Sequence, residues 1–535
     1  MKMPDFPWLR LRKKSEPEWP YEPPIMLGNK SNGEFFHEQT PMEKKIRHRI
    51  LKECDERARK LGVDRRVFVA SSMGMCTSLA VLNMAAGYGR DGITVGEGAG
   101  GQPGGYNVSA ASLSDCEEAD RLVGGDEFII DMQTHFIEDE TIWKDFHPGR
   151  MYTGRAFSWG ITLYPCFPRS AACIGPDVYE DLVLMNSDTG IAVLSGFPSE
   201  ICDDATMCTN LLSNNDMVRN RDRLNNNPGT GAMVLQHCQV APNDKWPKQA
   251  DMMRRIHEDY GNHGWKCYPP WGPDGQGWWL NDPDIADPFI SLAVELGKRQ
   301  NPSAGGAVIC AHKGFPLPGF NTLNADPRDV GPAAVRWGDA VKFVVYHSGF
   351  EQGEWNARGY DPNDPNPQSV DRLVRTVEEN NLKDKNVYAE MGSAWALVMN
   401  DPLASQHYVG KMVKYLGEDN VLWGSECVWF GSPQPQIEAF RALTITPELQ
   451  ERYGYPELTP ELKAKILGRN AARVYNIDID AARCDSGYLA RQKAKQEING
   501  EFGDRRWAFV QPQGPVTRRE FFKLQKLRKF LGHPA

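Results

Sequence analysis

Four short apolar runs in the second half of the chain each end at a titratable side chain that is followed by small or turn-forming residues. The runs end at His312, His347, Glu390 and Glu426. Unbroken apolar runs of this length are typical of strands that are buried on both faces of a parallel sheet. The four residues are 35, 43 and 36 positions apart, and a strand–helix–strand unit occupies about 30 or more residues. The spacing therefore predicts consecutive β/α repeats.

Four further strand-like runs come earlier and begin at Asp126, Gly190, Gly231 and Gly264. Eight such runs predict an α/β protein with a (β/α)8 TIM barrel, in which the carboxyl ends of all strands meet at one mouth. Histidines and carboxylates from distant parts of the chain are then expected to share one site. We expect the barrel within residues 126–480, an N-terminal extension over 1–112, and a C-terminal tail over 481–535.

The bulk composition agrees with a barrel enzyme and excludes several other classes. With 535 residues, the chain is long enough for a barrel and its extensions. The net charge of -9 argues against a general nucleic-acid-binding protein. The 12 cysteines form no C-x-x-C pair, so no zinc ribbon or redox motif is indicated, and Cys238, Cys267 and Cys310 are expected to be buried free thiols. No integral membrane span is expected.

Paired arginines at Arg65-Arg66 stand before a moderately apolar stretch and have two interpretations. The pair resembles a twin-arginine export signal, which would place the protein in the cell envelope. The alternative is a cytoplasmic protein in which an amphipathic helix packs on the domain, with the two arginines at its solvated start. Residues 88–112, rich in Gly, Ala and Ser, are predicted to be a flexible linker. The sequence leaves the localisation open.

Two of the residues at strand ends are candidate catalytic groups. His347 is the best candidate for a general acid and base, because imidazole titrates near neutral pH and can move a proton in both directions. Glu426 is a candidate base toward an attacking water, or a metal ligand.

Four other residues are candidate substrate contacts. Lys266, at the end of the fourth predicted strand, is suited to a substrate carboxylate or phosphate. Trp271 lies in the loop that follows and would provide an aromatic wall. Glu390 at the seventh strand and His237 at the third are further candidates, and for His237 a position in the core is an equal alternative.

The order of the polar residues resembles a known family. Asp131-Met-Gln133-Thr-His135 at the first strand, His312, His347, and Gly424-Ser-Glu426 at the eighth strand are similar to the amidohydrolase superfamily. The resemblance is to the amidohydrolase-related branch that includes aminocarboxymuconate-semialdehyde decarboxylase, and it covers roughly residues 126–478. Metal-containing members of that family usually show His-x-His at strand one, histidines at strands five and six, and an aspartate after strand eight.

Two positions depart from that pattern, namely Gln133 in place of the first histidine and Glu426 in place of the aspartate. An amide oxygen is a poorer zinc ligand than an imidazole nitrogen. The resemblance implies that Gln133, His135, His312 and Glu426 hold a divalent ion such as zinc or manganese. The alternative is a metal-free site in which these residues bond to one another and to the substrate.

Three functions follow from the resemblance and its departures. The first is hydrolysis of a C–N or ester-type bond in a small molecule, with an aromatic substrate among the candidates; activated water attacks and His347 protonates the leaving group. The second is non-oxidative decarboxylation, which the same branch also performs. The third is a degenerate barrel that serves as a binding or assembly component. A small-molecule substrate is the expected partner, and the long terminal additions suggest a homo-oligomer.

Overall fold

The computed structural model of the chain describes residues 22–28, 30–31, 36–87, 105–138, 174–198, 212–227, 233–300, 306–315 and 320–502. Most of the predicted linker and the end of the predicted C-terminal tail lie outside these described residues.

Eight strands form one parallel sheet in which each strand pairs with its neighbours along the chain. The strands are β1 (Ile129–Thr134), β2 (Thr189–Leu194), β3 (Val234–Val240), β4 (Gly264–Cys267), β5 (Ala307–Gly314), β6 (Val341–Phe350), β7 (Val387–Glu390) and β8 (Val421–Leu422). All eight lie in or overlap the predicted runs.

The barrel closes between β1 and the segment that follows β8. The backbone N–H of Glu426 donates to the carbonyl of Gln133 at 2.8 Å, and the N–H of His135 donates to the carbonyl of Cys427 at 2.7 Å. A parallel bridge between Thr134 and Cys427 belongs to the same seam. The predicted (β/α)8 fold class is confirmed.

The last strand is shorter than its apolar run predicts. Only Val421 and Leu422 form the ladder with β7, and the chain has left it by Glu426, where φ is 55°. The end of the predicted strand is therefore the turn that presents Glu426 to the barrel mouth.

Helices surround the sheet. The α-helices are α1 (Pro41–Leu61), α2 (Arg65–Val69), α3 (Ser72–Gly87), α4 (Cys116–Val123), α5 (Pro176–Tyr179), α6 (Asn214–Asn225), α7 (Trp246–Arg255), α8 (Ala286–Gln300), α9 (Val330–Trp337), α10 (Val370–Glu379), α11 (Gly392–Val398), α12 (Pro402–Leu416), α13 (Gln434–Ala442), α14 (Pro447–Tyr453), α15 (Pro460–Ala464), α16 (Asn470–Tyr475), α17 (Ile479–Arg483) and α18 (Ser486–Phe502). Short π-helical segments cover Glu180–Met185, Ile256–Tyr260 and Lys465–Arg469. Short 3-10 turns cover Ala111–Leu113, Pro273–Gly275, Thr322–Ala325, Pro327–Asp329, Gly338–Ala340 and Glu354–Ala357, and an antiparallel pair joins Lys30–Ser31 to Phe36–His37.

The N-terminal helices share one hydrophobic core with the outer helices of the barrel. Helix α3 contacts α1, α4, α12 and α13, and its Leu79 is fully buried. The hydroxyl of Tyr106 donates to the carbonyl of Met399 at 2.6 Å, and Asn83 bonds to both backbone polar groups of Tyr106. The segment that follows the arginine pair is thus part of the domain core.

The arginine pair itself begins a helix. Arg65 is exposed at the start of α2, and the Asp64 carboxylate accepts the N–H of Arg66 at 2.8 Å as an N-terminal cap. This geometry agrees with the interpretation of the arginine pair as the start of a helix that packs on the domain. The interpretation as an export signal stays a prediction. Among the described residues, no helix is both long and apolar enough to cross a membrane.

The buried position of α3 gives a stability prediction. Leu79→Ala removes buried methyl groups and leaves a cavity, so we expect the free energy of unfolding to fall by about 2–5 kcal/mol. The matched control Val67→Ala alters a side chain that is 64% exposed and should change it by less than about 0.5 kcal/mol. Urea unfolding of both variants measures this. Equal, small effects would show that α3 is not part of the core.

Candidate active site

The mouth of the barrel collects polar side chains from β1, β5, β6 and β7 and from the turn after β8. All of them are at most 1% exposed. They are Gln133, His135, His312, His347, Glu390 and Glu426.

Four of these side chains converge through their terminal atoms. The amide nitrogen of Gln133 lies 3.0 Å from Glu426 Oε1, 3.3 Å from His135 Nε2 and 3.5 Å from His347 Nε2. Glu426 Oε1 is in turn 3.6 Å from His347 Nε2 and 3.9 Å from His135 Nε2. The structure therefore groups Gln133, His135 and Glu426 as predicted, and the histidine beside them is His347.

The tautomer of His135 follows from its surroundings. Its Nδ1 lies 2.7 Å from the carbonyl oxygen of Ser195, which can only accept a hydrogen bond. The proton is therefore on Nδ1, and Nε2 carries a lone pair that faces Gln133. Burial, with a smaller effect of the Lys266 charge, lowers the pKa of His135 to about 3. This imidazole is neutral at neutral pH.

His347 and His312 are also neutral imidazoles. Burial holds the pKa of both far below its usual value; His312 and Lys266 add to the effect at His347, and Lys266 adds to it at His312. The two rings meet edge to face with 4.8 Å between their centroids. His312 also stacks on the ring of Tyr268 at 4.8 Å and 22°. The predicted metal ligand His312 thus lies beside His347, where it contacts two rings.

The backbone is strained at the two candidate catalytic residues. His347, Ser348 and Glu426 have φ values of 63°, 54° and 55°. This left-handed conformation costs about 1–2 kcal/mol for a residue with a side chain. Such residues cluster at functional sites because the surrounding structure holds them in place. Here the Ser348 hydroxyl donates to the carbonyl of Glu390 at 2.7 Å.

Glu390, predicted as a substrate contact, lies beneath His347. Its Oε2 accepts the backbone N–H of His347 at 3.0 Å. Burial, partly offset by that hydrogen bond and by Lys266, raises the pKa of Glu390 to about 8. The side chain is therefore a carboxylic acid at neutral pH. A Cβ at Gly424 would overlap Glu390 Oε1, so the glycine of the Gly424-Ser-Glu426 motif makes room for this acid.

Asp131 belongs to the motif of the first strand, but the sequence predicted no role for it at the site. Its Oδ1 accepts the N–H of Ser425 at 3.0 Å and that of Gln133 at 3.3 Å, so it joins β1 to the turn after β8. Burial raises its pKa to about 7. A carboxylate inside an apolar strand two positions before Gln133 was the available signal, since alternate residues of a strand face the same side.

Two predicted substrate contacts lie inside the barrel. The Lys266 ammonium is 3.5 Å from the centroid of the Tyr346 ring and 4.7 Å from that of Tyr268. His237 Nε2 bonds to the hydroxyl of Tyr475 at 2.6 Å, and its Nδ1 lies 3.2 Å from the hydroxyl of Tyr346. Tyr475 ends α16, which packs near the start of the strands, so the contacts of His237 are those of a core residue.

Aromatic rings cover the histidines. Phe197 lies 5.0 Å from His135, and Phe315 lies 5.2 Å from His347. With Tyr268 on His312, each histidine has one ring from a loop at the mouth. These three rings were not predicted, although each comes within three residues of a strand end. The predicted Trp271 is half-buried in the loop after β4, where its carbonyl accepts from Asn243 at 3.0 Å.

Residues 230–477 match the amidohydrolase family model. This part of the chain belongs to the amidohydrolase family. The predicted resemblance is confirmed over this range. The matched range contains β3 to β8 with His312, His347 and Glu426, and leaves β1 with Gln133 and His135 outside.

Solved structures of the superfamily are distantly similar to this chain. The 5-carboxyvanillate decarboxylase of Sphingomonas paucimobilis shares 13% identity over 66% of this chain and 100% of its own, with a TM-score of 0.41. The 4-oxalomesaconate hydratase of Rhodopseudomonas palustris shares 18% over 68% and 99%, also at 0.41. A dihydroxybenzoic acid decarboxylase from Polaromonas sp. JS666, with bound manganese, shares 12% over 68% and 99%, at 0.34. No curated protein matches the sequence.

The donor atoms of this site, as arranged, do not fit a metal ion. Within the described ranges, no group of three or more His, Cys, Asp or Glu side chains is placed to hold one. The atom that faces His135 Nε2 and Glu426 Oε1 is the Gln133 amide nitrogen, an N–H donor. Gln133 Oε1, the atom able to bind a cation, lies toward Gly392 and has no hydrogen-bond partner among the described residues.

Gly392, the first residue of α11, gives a prediction for the packing of the site. Its φ is 38°, and a Cβ there would lie 2.8 Å from Gln133 Oε1, Glu390 Oε2 and His347 Nδ1. We expect Gly392→Ala to lower the free energy of unfolding by about 2–4 kcal/mol, from backbone strain and overpacking together. The control Gly62→Ala has a φ of 68°, a ψ of 24° and no atom within 4 Å, so it should cost only about 1–2 kcal/mol. Urea unfolding compares the two; equal losses would contradict the crowding.

Glu390 gives a prediction for pH dependence. Its pKa is about 8 in the folded chain against the ordinary 4.5 of a glutamic acid, so the unfolded chain releases this proton first as pH rises. Folding stability is therefore lost between about pH 5 and 8. Glu390→Gln should remove about 2–5 kcal/mol of that loss, measured as the difference in unfolding free energy between the two pH values. The exposed control Glu451→Gln should keep the wild-type difference, and a wild-type slope in Glu390→Gln would refute the assignment.

Proposed function

We propose that the protein hydrolyses a C–N or ester-type bond of a small molecule bound at the barrel mouth. The observation that supports this is the convergence of Gln133, His135, His347 and Glu426, whose terminal atoms lie 3.0–3.9 Å apart. A neutral imidazole beside a carboxylate is an acid–base pair able to activate water.

In the proposed reaction, His347 takes a proton from the attacking water. Its imidazole is neutral before the reaction, because burial lowers its pKa. The Glu426 carboxylate, 3.6 Å away, stabilises the imidazolium that forms. The same burial makes this imidazolium a strong acid, so it returns the proton to the leaving nitrogen or oxygen.

Gln133 and His135 position the pair. The Gln133 amide donates to Glu426 Oε1 at 3.0 Å, which fixes one carboxylate oxygen. Because the proton of His135 is held on Nδ1 by Ser195, its Nε2 is an acceptor, available to a donor group of the substrate or to the Gln133 amide.

The walls of the site support a small substrate with a planar apolar part and an anionic group. Phe197, Tyr268 and Phe315 cover the three histidines, and rings of this kind suit a flat apolar surface. The Lys266 ammonium is fully buried nearby, and its charge acts on His135, His312 and His347. A carboxylate, or the negative charge that develops on an attacked carbonyl oxygen, would be stabilised by it.

Non-oxidative decarboxylation is a second candidate, favoured by Glu390. Its pKa of about 8 makes it a proton donor at neutral pH. In this reaction the C–C bond to the carboxylate breaks, carbon dioxide leaves, and the bonding electron pair on carbon takes a proton. Lys266 would hold the carboxylate until the bond breaks.

A panel of small aromatic amides, esters and carboxylic acids tests the proposal, with hydrolysis products and carbon dioxide measured separately. For the substrate that turns over, we expect His347→Ala and Glu426→Gln each to lower kcat by about 10²–10⁴-fold. The exposed control Glu448→Gln should retain wild-type kcat.

Carbon dioxide without hydrolysis product would favour the second candidate. Unchanged turnover in both site variants would remove both candidates. Binding of a panel member with no turnover at all would favour a barrel that acts as a binding component.

A further inference from the structure

We propose that Gln133 provides, through its amide N–H groups, the positive partner that a metal ion would otherwise provide to the acceptors of this site, so that the enzyme folds and works without a bound metal. The inference rests on the proposed function only in taking the site as catalytic.

The first support is the count of donors and acceptors. An amide nitrogen has two hydrogens, and two acceptor atoms lie within 3.5 Å of this one, Glu426 Oε1 and His135 Nε2. His347 Nε2 lies at 3.5 Å and accepts when the proton of that imidazole is on Nδ1. If the amide were turned by 180°, its oxygen would face lone pairs on Glu426 Oε1 and His135 Nε2. The protonation of His135 on Nδ1 removes the remaining donor from that side.

The second support comes from the other end of the amide. Gln133 Oε1 and His347 Nδ1 lie 2.8 Å from the same point, the Cβ position of Gly392. When His347 Nε2 accepts from the Gln133 amide, the proton of that imidazole is on Nδ1, on the side where Gln133 Oε1 lies. Neither Gln133 Oε1 nor His347 Nδ1 has a hydrogen-bond partner among the described residues, so this end of the amide does not oppose the orientation.

The third support is the charge already present. The Lys266 ammonium is fully buried inside the barrel and lowers the pKa of all three mouth histidines, as a smaller effect than burial. A divalent cation placed among the same histidines would be repelled by the protonated lysine in surroundings of low dielectric. A hydrogen-bond donor without net charge meets no such repulsion.

Metal content is the direct test. Wild-type protein and two variants are expressed with added zinc and manganese, purified without chelator and analysed for metal per chain. Gln133→His replaces the donor by a group with an acceptor nitrogen, so we expect it to bind one equivalent of zinc and to gain thermal stability when Zn²⁺ is added. The matched control Gln133→Leu removes the donor without adding an acceptor and should bind none.

For the wild type we expect far less than one equivalent, and no change in melting temperature or turnover on dialysis against EDTA. One equivalent of metal in the wild type, removed by EDTA with a loss of thermal stability, would overturn the proposal. A folded Gln133→His chain that takes up no zinc would also overturn it, because the amide would not be what keeps the cation out. Since metal is measured without a substrate, failure to find hydrolysis would count against the proposed function alone.

Discussion

Closure of the barrel between β1 and the turn after β8 is the constraint on which the site depends. Three backbone hydrogen bonds of this seam involve Gln133, His135 and Glu426, the residues whose side chains form the site. Asp131 adds a side-chain bond from β1 to the N–H of Ser425. Because these residues belong to both the seam and the site, any shift of the seam backbone also moves a side chain of the site. The left-handed φ of Glu426 is the local cost of turning its carboxylate inward at this point.

Burial then decides the chemistry of the groups that the seam brings together. Every titratable group at the mouth with a resolved shift moves toward its neutral form: the pKa of His135, His312 and His347 falls, and that of Asp131 and Glu390 rises. Neutral imidazoles can accept a proton and neutral carboxylic acids can donate one, and both kinds of group are buried at the barrel mouth. This combination allows proton transfer without a permanently charged partner for each group.

The sequence predicted the barrel well because each strand is an unbroken apolar run that ends in a polar residue, a pattern that physics imposes on a parallel sheet covered on both faces. It also placed His347 and Glu426 correctly at the mouth. It did not predict that His347, and not His312, would meet the Gln133 amide, since strand order fixes which residues share a mouth but not which side chains touch. The sequence did not predict the positions of Phe197, Tyr268 and Phe315. The conformation of a loop determines where its side chains lie, and aromatic residues in loops show no regular spacing from which this could be predicted.

The distance along the chain between the seam residues bears on how the site forms. Gln133 and Glu426 are 293 positions apart, so an unfolded chain loses much conformational entropy when it brings them together. Pairing of the intervening strands shortens the loop that remains to be closed and so lowers this cost. The N-terminal helix α3 packs on α12 and α13, which flank the last strand on either side in sequence. Its buried apolar face therefore stabilises the part of the barrel that must be in position for the seam to close, and this connects a segment far from the mouth to the integrity of the site.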